Sequence, residues 1–178
     1  MKVLLLSTFE QSGGAAIAAV RLLKALQKNG VEASLLCRKN LSWWKGKPQS
    51  LSSIFERLII LGGNVSTMSN LWAMDYAHCG QDITESKEYQ EADVIHLHWI
   101  NQGFLSFGEL NKIVNSGKRI VWTMHDEWCF TGGCHYAGVC RHYFMGCHDC
   151  PYVKKHAFFD ATLKAWEHKR QLYSKCNI

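Results

Sequence analysis

The fold class is decided by the first 37 residues, MKVLLLSTFEQSGGAAIAAVRLLKALQKNGVEASLLC (residues 1–37). Lys2–Leu6 is a short, continuous apolar run, which is typical of a buried strand. Ala15–Lys28 carries apolar residues at helical spacing, and Asn29-Gly30 after it is a signal that ends helices. Val31–Cys37 again has the composition of a strand. The three segments predict a β-α-β unit, in which the two strands run parallel.

Strands and helices continue to alternate along the rest of the 178 residues. The strands are predicted at Val94–His98 and Arg119–Met124, and the helices at Ser53–Leu61, Ser106–Asn115 and Ala157–Lys175. Ser106-x-x-Glu109 is a capping box, whereas residues 62–90 have no clear period. This order predicts a Rossmann-like, doubly wound α/β domain with a mainly parallel sheet over residues 1–178 and a cysteine-rich loop at 129–151.

Composition and charge are those of an ordinary globular protein, with 47% apolar and 20% charged residues and a formal charge of +5. The basic residues are mostly dispersed, which indicates a solvated surface that also suits anionic ligands. Neither a signal peptide nor a membrane span is predicted, so we expect a cytoplasmic protein. Trp43-Trp44-Lys45, Lys47 and Phe158–Phe159 are compatible with a peripheral membrane contact, although ordinary packing of aromatic residues is the favoured interpretation.

A glycine-rich turn, Ser12-Gly13-Gly14-Ala15, lies between the first strand and the first helix. Glycines allow a ligand to approach the backbone, and free N–H groups at a helix start attract phosphate or a sugar oxygen. The pattern is not G-x-G-x-x-G, which disfavours a dinucleotide cofactor. Gly13 and Gly14 are therefore candidate ligand-binding residues, and a tight turn that only serves packing is the alternative.

Histidines stand at the ends of two later strands. In His96-x-His98-Trp99, alternation places both histidines on one face of the strand, and His98 and Trp99 are candidate substrate contacts. His125 and Asp126 follow the strand at Arg119–Met124, which we expect to be central in the sheet. Ligands bind at such carboxyl ends, so His125 is a candidate acid, base or sugar ligand and Asp126 a second catalytic candidate. Core packing of the first histidines and capping by Asp126 are the alternatives.

Four cysteines lie close together in the sequence, at Cys134, Cys140, Cys147 and Cys150. The spacing is compatible with a structural, four-coordinate zinc site, and reduced thiols in the cytosol favour metal over disulfides. Two disulfides or free thiols remain alternatives, as do His135, His142 and His148 as substitute ligands. Since such a site has no open position, no catalytic metal is expected. Three other cysteines look like small buried apolar residues, namely Cys37, Cys79 and Cys129.

Two other classes of protein are compatible with the cysteines. A zinc-bearing module that binds nucleic acid is the main alternative, but the basic residues are not concentrated beside the cysteines, so no nucleic-acid partner is predicted. A redox domain would need an activated thiol near a helix start, whereas Cys147-His148-Asp149-Cys150 precedes Pro151 in a loop.

Several segments resemble one known family. Ala92–Asn101, Val121–Trp128 and Phe130–Tyr136, together with a cysteine-bearing insert ending at Cys147–Pro151, resemble the amino-terminal half of bacterial family 4 glycosyltransferases. The similarity is to the members found in polysaccharide and capsule biosynthesis, and the turn at residues 12–15 fits their first glycine-rich loop.

The resemblance implies a two-lobed GT-B architecture and retaining transfer from a nucleotide-sugar donor to a saccharide or lipid-linked acceptor. It implies that His125 contacts the transferred sugar and that Gly13 and Gly14 approach the donor. Most donor contacts would lie in a carboxyl-terminal lobe that is absent from this sequence. We therefore expect residues 1–178 to be inactive alone.

Overall fold

A computed structural model describes residues 1–39, 50–62, 67–154 and 161–175. Its centre is a four-stranded parallel sheet in the order β2-β1-β3-β4. The strands are β1 (Lys2–Ser7), β2 (Glu32–Cys37), β3 (Val94–Leu97) and β4 (Arg119–Trp122). β1 pairs with both β2 and β3, and β3 pairs with β4, each in parallel register. The α/β class and the parallel sheet are as predicted, and the sheet is consistent with a Rossmann-like fold.

Helices connect these strands. They are α1 (Gly14–Lys28), α2 (Leu51–Gly62), α3 (Asn70–Ala73), α4 (Lys87–Glu91), α5 (Phe107–Val114) and α6 (Ala161–Tyr173). The predicted capping box is present at α5, where the Ser106 hydroxyl accepts from the Gly108 and Glu109 backbone N–H groups and Glu109 accepts from the Ser106 N–H. The predicted start of the last helix, at residues 157–160, lies outside the described residues.

Apolar side chains cover both faces of the sheet, because successive residues of a strand point to opposite sides. Val3 and Leu5 of β1 pack with Leu22, Leu23 and Leu26 of α1. Leu4 and Leu6 belong to the larger cluster on the other face, with residues of α5 and α6. Helical layers on both faces are the arrangement expected of a doubly wound fold.

One prediction about the sheet is wrong. β4 is an edge strand among the four that the structure describes, although a central position was expected for it. It also ends at Trp122, two residues earlier than predicted, because the backbone leaves the sheet after the Thr123 N–H donates to the Leu97 carbonyl at 2.9 Å. His125 therefore stands on a loop beyond the strand.

A buried polar cluster organises residues 75–79, which no periodic pattern predicted. Asp75 is fully buried and accepts from Arg57 Nη2 at 2.5 Å and from the Gln102 N–H at 2.8 Å. Glu56, also fully buried, accepts the backbone N–H groups of Tyr76, His78 and Cys79 at 2.8, 2.9 and 2.9 Å. These carboxylates replace the backbone partners that an irregular segment lacks.

The same segment fixes the loop that follows β4. The Asp75 N–H donates to the Gly133 carbonyl at 2.8 Å, and the indole Nε1 of Trp128 donates to the Asp75 carbonyl at 2.7 Å. Trp128 is among the largest fully buried side chains. The conformation of residues 126–135 therefore depends on the buried Arg57–Asp75 ion pair.

Candidate functional site

An open cleft of about 520 Å³ lies at the carboxyl edge of the sheet. Its lining comes from the loop after β1, the first turn of α1, the end of α3 and the loops after β3 and β4. Five of the residues predicted as site candidates line it, namely Gly13, Gly14, Trp99, His125 and Asp126. The other lining residues are Phe9, Ser12, Ala15, Trp72, Ala73, His135 and Tyr136. The sheet thus brings the glycine turn and the His125 imidazole to one cleft, as parallel strands require.

The glycine turn presents free backbone donors. Gly13 precedes α1 with φ of 86°, a conformation that glycine adopts at little cost, and no side chain of the described residues caps the helix there. The first turn of α1 has no acidic residue to neutralise its partial positive charge. A Cβ atom built on Gly13 or Gly14 would meet no other atom within 4 Å. This end of the cleft can therefore receive an anionic or strongly polar group.

Three histidines form a connected row behind the cleft. His98 Nδ1 and His125 Nε2 are 2.9 Å apart, and the rings of His96 and His98 stack with centroids 4.5 Å apart. His96 Nε2 lies 2.8 Å from Thr123 Oγ1. His98 is buried and does not line the cleft, whereas His125 is half-buried and does. The hydrogen bond leaves Nδ1 of His125 for a ligand, while His98 fixes the ring from behind.

Asp126 joins the loops after β3 and β4. One of its oxygens, Oδ2, accepts from Trp99 Nε1 at 2.7 Å and lies 2.8 Å from His135 Nδ1. The other, Oδ1, accepts from the Trp128 backbone N–H at 3.0 Å, so the capping alternative also holds. Its hydrogen bonds therefore orient Trp99 and His135 rather than His125.

His135 is a cleft residue that the sequence did not reveal. It was considered there only as a substitute metal ligand. The structure directs its Nδ1 to Asp126 and leaves its buried Nε2 without a hydrogen-bond partner among the described residues. An Asp–His pair that lines a cleft can hold a hydroxyl group or move a proton. In the sequence, the only distinctive feature of His135 is that it follows Cys134. Its pairing with Asp126 is visible only in the folded structure.

The site's titratable groups are shifted by burial and by their neighbours. Burial, and then the neighbouring His96 and His125, lower the pKa of His98 to about 4. Burial also lowers the pKa of His125, against the opposing effect of Asp126. Burial tends to raise the pKa of Asp126, but the hydrogen bonds from His135, Trp99 and Trp128 outweigh it and hold that pKa below its usual value. Near neutral pH the site thus presents neutral His98 and His125 imidazoles beside the Asp126 carboxylate.

The low pKa of His98 predicts a loss of stability in mild acid. The unfolded chain binds this proton near pH 6.5, but the folded protein binds it only near pH 4. Between these values the unfolded state holds more protons, so the free energy of unfolding falls by up to about 3 kcal/mol as the pH drops through this window. Urea unfolding at a series of pH values measures this fall. We expect the free energy of unfolding of His98→Asn to depend less on pH in this window. His168→Asn, which removes an exposed histidine of α6, is the control and should keep the wild-type dependence. The same pH dependence in wild type and His98→Asn would contradict the low pKa of His98.

The four clustered cysteines lie away from the cleft, around a small cavity of about 20 Å³. Cys134, Cys140, Cys147 and Cys150 all line it, as do His142 and His148. The cysteines of the described chain are free thiols, and among the described residues no group of three or more Cys, His, Asp or Glu side chains is arranged to hold a metal ion. Of the three other cysteines predicted to be buried, Cys129 is buried, but Cys37 and Cys79 are only half-buried.

The thiols do not have the character of a redox centre. Burial raises the pKa of Cys147 to about 11 and that of Cys150 to about 12, whereas redox-active cysteines have lowered values.

The segments proposed to touch a membrane, at Trp43–Lys47 and Phe158–Phe159, lie outside the described residues. In the part of the chain that the structure describes, no helix is long and apolar enough to cross a bilayer.

Comparison with known proteins gives one informative match. The chain is 31% identical over 83 residues to an Escherichia coli (strain K12) protein named "Putative colanic acid biosynthesis glycosyl transferase WcaC". The chain is therefore glycosyltransferase-like over this segment. The match covers 45% of this chain and 20% of that protein, so the chain spans about a fifth of its relative. No family model matches the chain, and no solved structure does.

Proposed function

We propose that the chain forms the amino-terminal lobe of a family 4, GT-B glycosyltransferase, which transfers a sugar from a nucleotide-sugar donor to a saccharide or lipid-linked acceptor with retention of configuration. The observation that carries this proposal is that the free amino-terminal turn of α1 and the His125 imidazole line one cleft. The similarity to a named glycosyl transferase over 83 residues supports the reaction class.

The donor's diphosphate is assigned to the glycine end of the cleft. Negative charge grows on the leaving phosphate as the glycosidic bond breaks, and the N-terminus of a helix stabilises such charge. The backbone N–H groups of Gly14 and Ala15 can receive a ligand there, since the first turn has no acidic residue and no described side chain caps the helix. Gly13 and Gly14 are thus the donor-binding residues of this lobe.

The transferred sugar is assigned to the space between His125 and the aromatic side chains. His125 offers Nδ1 to a sugar hydroxyl, and Trp99 is held in place by Asp126. Binding sites of this kind combine apolar or aromatic walls with a few fixed polar groups. Asp126 and His135 then face the acceptor side, where they can order an incoming hydroxyl group.

A second lobe supplies what this cleft lacks. None of the residues that line the described cleft is a lysine or arginine, although a diphosphate carries two or more negative charges. The proposal therefore places the cationic phosphate ligands on a carboxyl-terminal lobe. For the same reason, turnover by residues 1–178 alone is expected to be negligible.

A substitution at Gly14 tests donor binding without disturbing the fold. Gly14→Ala adds a methyl group that meets no protein atom within 4 Å, and alanine favours a helix more than glycine does. We expect unchanged or slightly higher stability but roughly tenfold weaker binding of the nucleotide sugar, a loss of about 1.4 kcal/mol. Isothermal titration with a panel of nucleoside-diphosphate sugars measures this, on protein that joins residues 1–178 to the proposed carboxyl-terminal lobe.

Gly62→Ala is the matched control, because its methyl group at the end of α2 also meets no atom within 4 Å. It should bind the donor like wild type. Equal affinities for Gly14→Ala and wild type would remove the glycine turn from the site. Failure of the two-lobed protein to bind any nucleotide sugar would contradict the proposed reaction.

A further inference from the structure

The small cavity among the four clustered cysteines has a composition that packing alone does not require. Its volume of about 20 Å³ accommodates roughly one water-sized atom. Cys134 and Cys147 are buried, and Cys140 and Cys150 are half-buried. Free thiols are weak hydrogen-bonding groups, and nothing in ordinary packing gathers four of them from a 17-residue stretch around one point. Soft sulfur ligands at this density favour a thiophilic cation.

The backbone around two of these cysteines has uncommon conformations and donates hydrogen bonds to their sulfur atoms. Asp149, between Cys147 and Cys150, has φ of 51°, which is uncommon for a residue other than glycine, and Gly146 before Cys147 has φ of 111°. The Gly132 N–H donates to Cys147 Sγ at 3.0 Å, and the Tyr152 backbone N–H donates to the Cys150 sulfur. Hydrogen bonds from backbone N–H groups are the outer contacts that metal-bound thiolates need.

Packing leaves little freedom at this position. A Cβ atom on Gly132 would come within 2.4 Å of the Cys147 Cβ and 2.5 Å of the Thr162 carbonyl oxygen. The chain segments that carry Cys134 and Cys147 are therefore pressed together by α6, whose Thr162 hydroxyl also donates to the Cys147 carbonyl. The cavity's position is fixed by three separate segments of the chain.

We propose that this cavity binds one structural Zn²⁺ ion through Cys134, Cys140, Cys147 and Cys150. The two histidines at its rim are the weaker candidates, because His142 and His148 are exposed and His142 Nδ1 is already 2.8 Å from the His148 carbonyl oxygen. Four thiolates would complete a tetrahedron with Zn–S distances near 2.3 Å once the loop rearranges around the ion. Binding releases the thiol protons and leaves no open coordination position.

The proposed zinc site would stabilise the back wall of the cleft. Cys134 precedes His135, whose N–H donates to the Ala73 carbonyl at 3.0 Å and whose carbonyl accepts from Glu127 at 2.9 Å. A metal that anchors Cys134 therefore also anchors the His135–Asp126 pair. This inference does not depend on the proposed reaction, since it concerns only the cysteine loop.

Metal content and X-ray absorption of the purified protein test this inference. Protein prepared under reducing conditions without added metal should contain about one zinc per chain, with four sulfur neighbours near 2.3 Å. Cys147→Ser should lower the zinc content severalfold, whereas Cys37→Ser, a half-buried cysteine outside the cavity, should leave it unchanged. In case Cys147→Ser fails to fold, wild-type protein reconstituted with Co²⁺ should show the thiolate charge-transfer and intense visible bands of tetrahedral cobalt.

Several results would overturn the inference. One is a zinc content below about 0.2 equivalents per chain in folded, reduced protein. Another is a protein mass that shows disulfide bonds among the four cysteines. A third is an X-ray absorption spectrum with fewer than four sulfur neighbours around the zinc. Loss of zinc in Cys37→Ser as well would also place the metal elsewhere.

Discussion

Asp75→Asn should lower the free energy of unfolding by roughly 3–5 kcal/mol, the usual cost of removing one partner of a buried ion pair. Asp75 is fully buried and Arg57 is 9% exposed, so the guanidinium cannot turn to water once its partner is neutral. The remaining carboxylate nearby, Glu56, already accepts three backbone N–H groups and is not free to replace Asp75. Single domains are stable by only about 5–15 kcal/mol, so this loss is large.

Chemical denaturation measures the effect, and Asp82→Asn provides a matched control. Asp82 accepts from Lys112 at a similar distance, 2.6 Å, but both side chains are largely exposed. Water screens that pair, so its removal should change the unfolding free energy little. A small and equal effect of the two substitutions would show that the buried cluster does not fix residues 75–79.

The elements that the sequence predicted well are those with a regular period or a local capping pattern. β1 is a short, continuous apolar run that a loop follows, and α1 repeats apolar residues at helical spacing. The capping box at Ser106 and Glu109 involves residues three apart, so it is visible without a fold. The convergence of the glycine turn and His125 followed from the rule that parallel strands carry ligands at their carboxyl ends.

The features that escaped prediction depend on contacts between distant residues. Glu56 serves backbone groups 20 to 23 positions away, and Asp126 meets Trp99 from 27 positions away. The edge position of β4 depends on the order in which strands pair, which the amino-acid pattern of a single strand does not encode. His135 was missed for a different reason: its partner Asp126 is only nine positions away, but the turn at residues 127–129 that brings them together was not predicted.

His125→Ala should lower the rate of sugar transfer by about two orders of magnitude or more, the usual effect of losing one well-placed polar group in an active site. His98 holds the ring through its hydrogen bond at 2.9 Å, which leaves the other nitrogen directed to the substrate. The alanine variant should remain folded, because His125 is only half-buried and packs at the edge of the open cleft. Its loss of activity would then reflect chemistry rather than stability.

The cleft as the site of sugar transfer is the central claim. It is tested most directly by kcat/KM for nucleotide-sugar turnover, measured on protein in which residues 1–178 are joined to the proposed carboxyl-terminal lobe. Wild type should be compared with His125→Ala and with His168→Ala, in which an exposed histidine of α6 is removed. We predict a loss of about 100-fold or more in the first variant and wild-type turnover in the second. Wild-type turnover in a folded His125→Ala protein would contradict the claim.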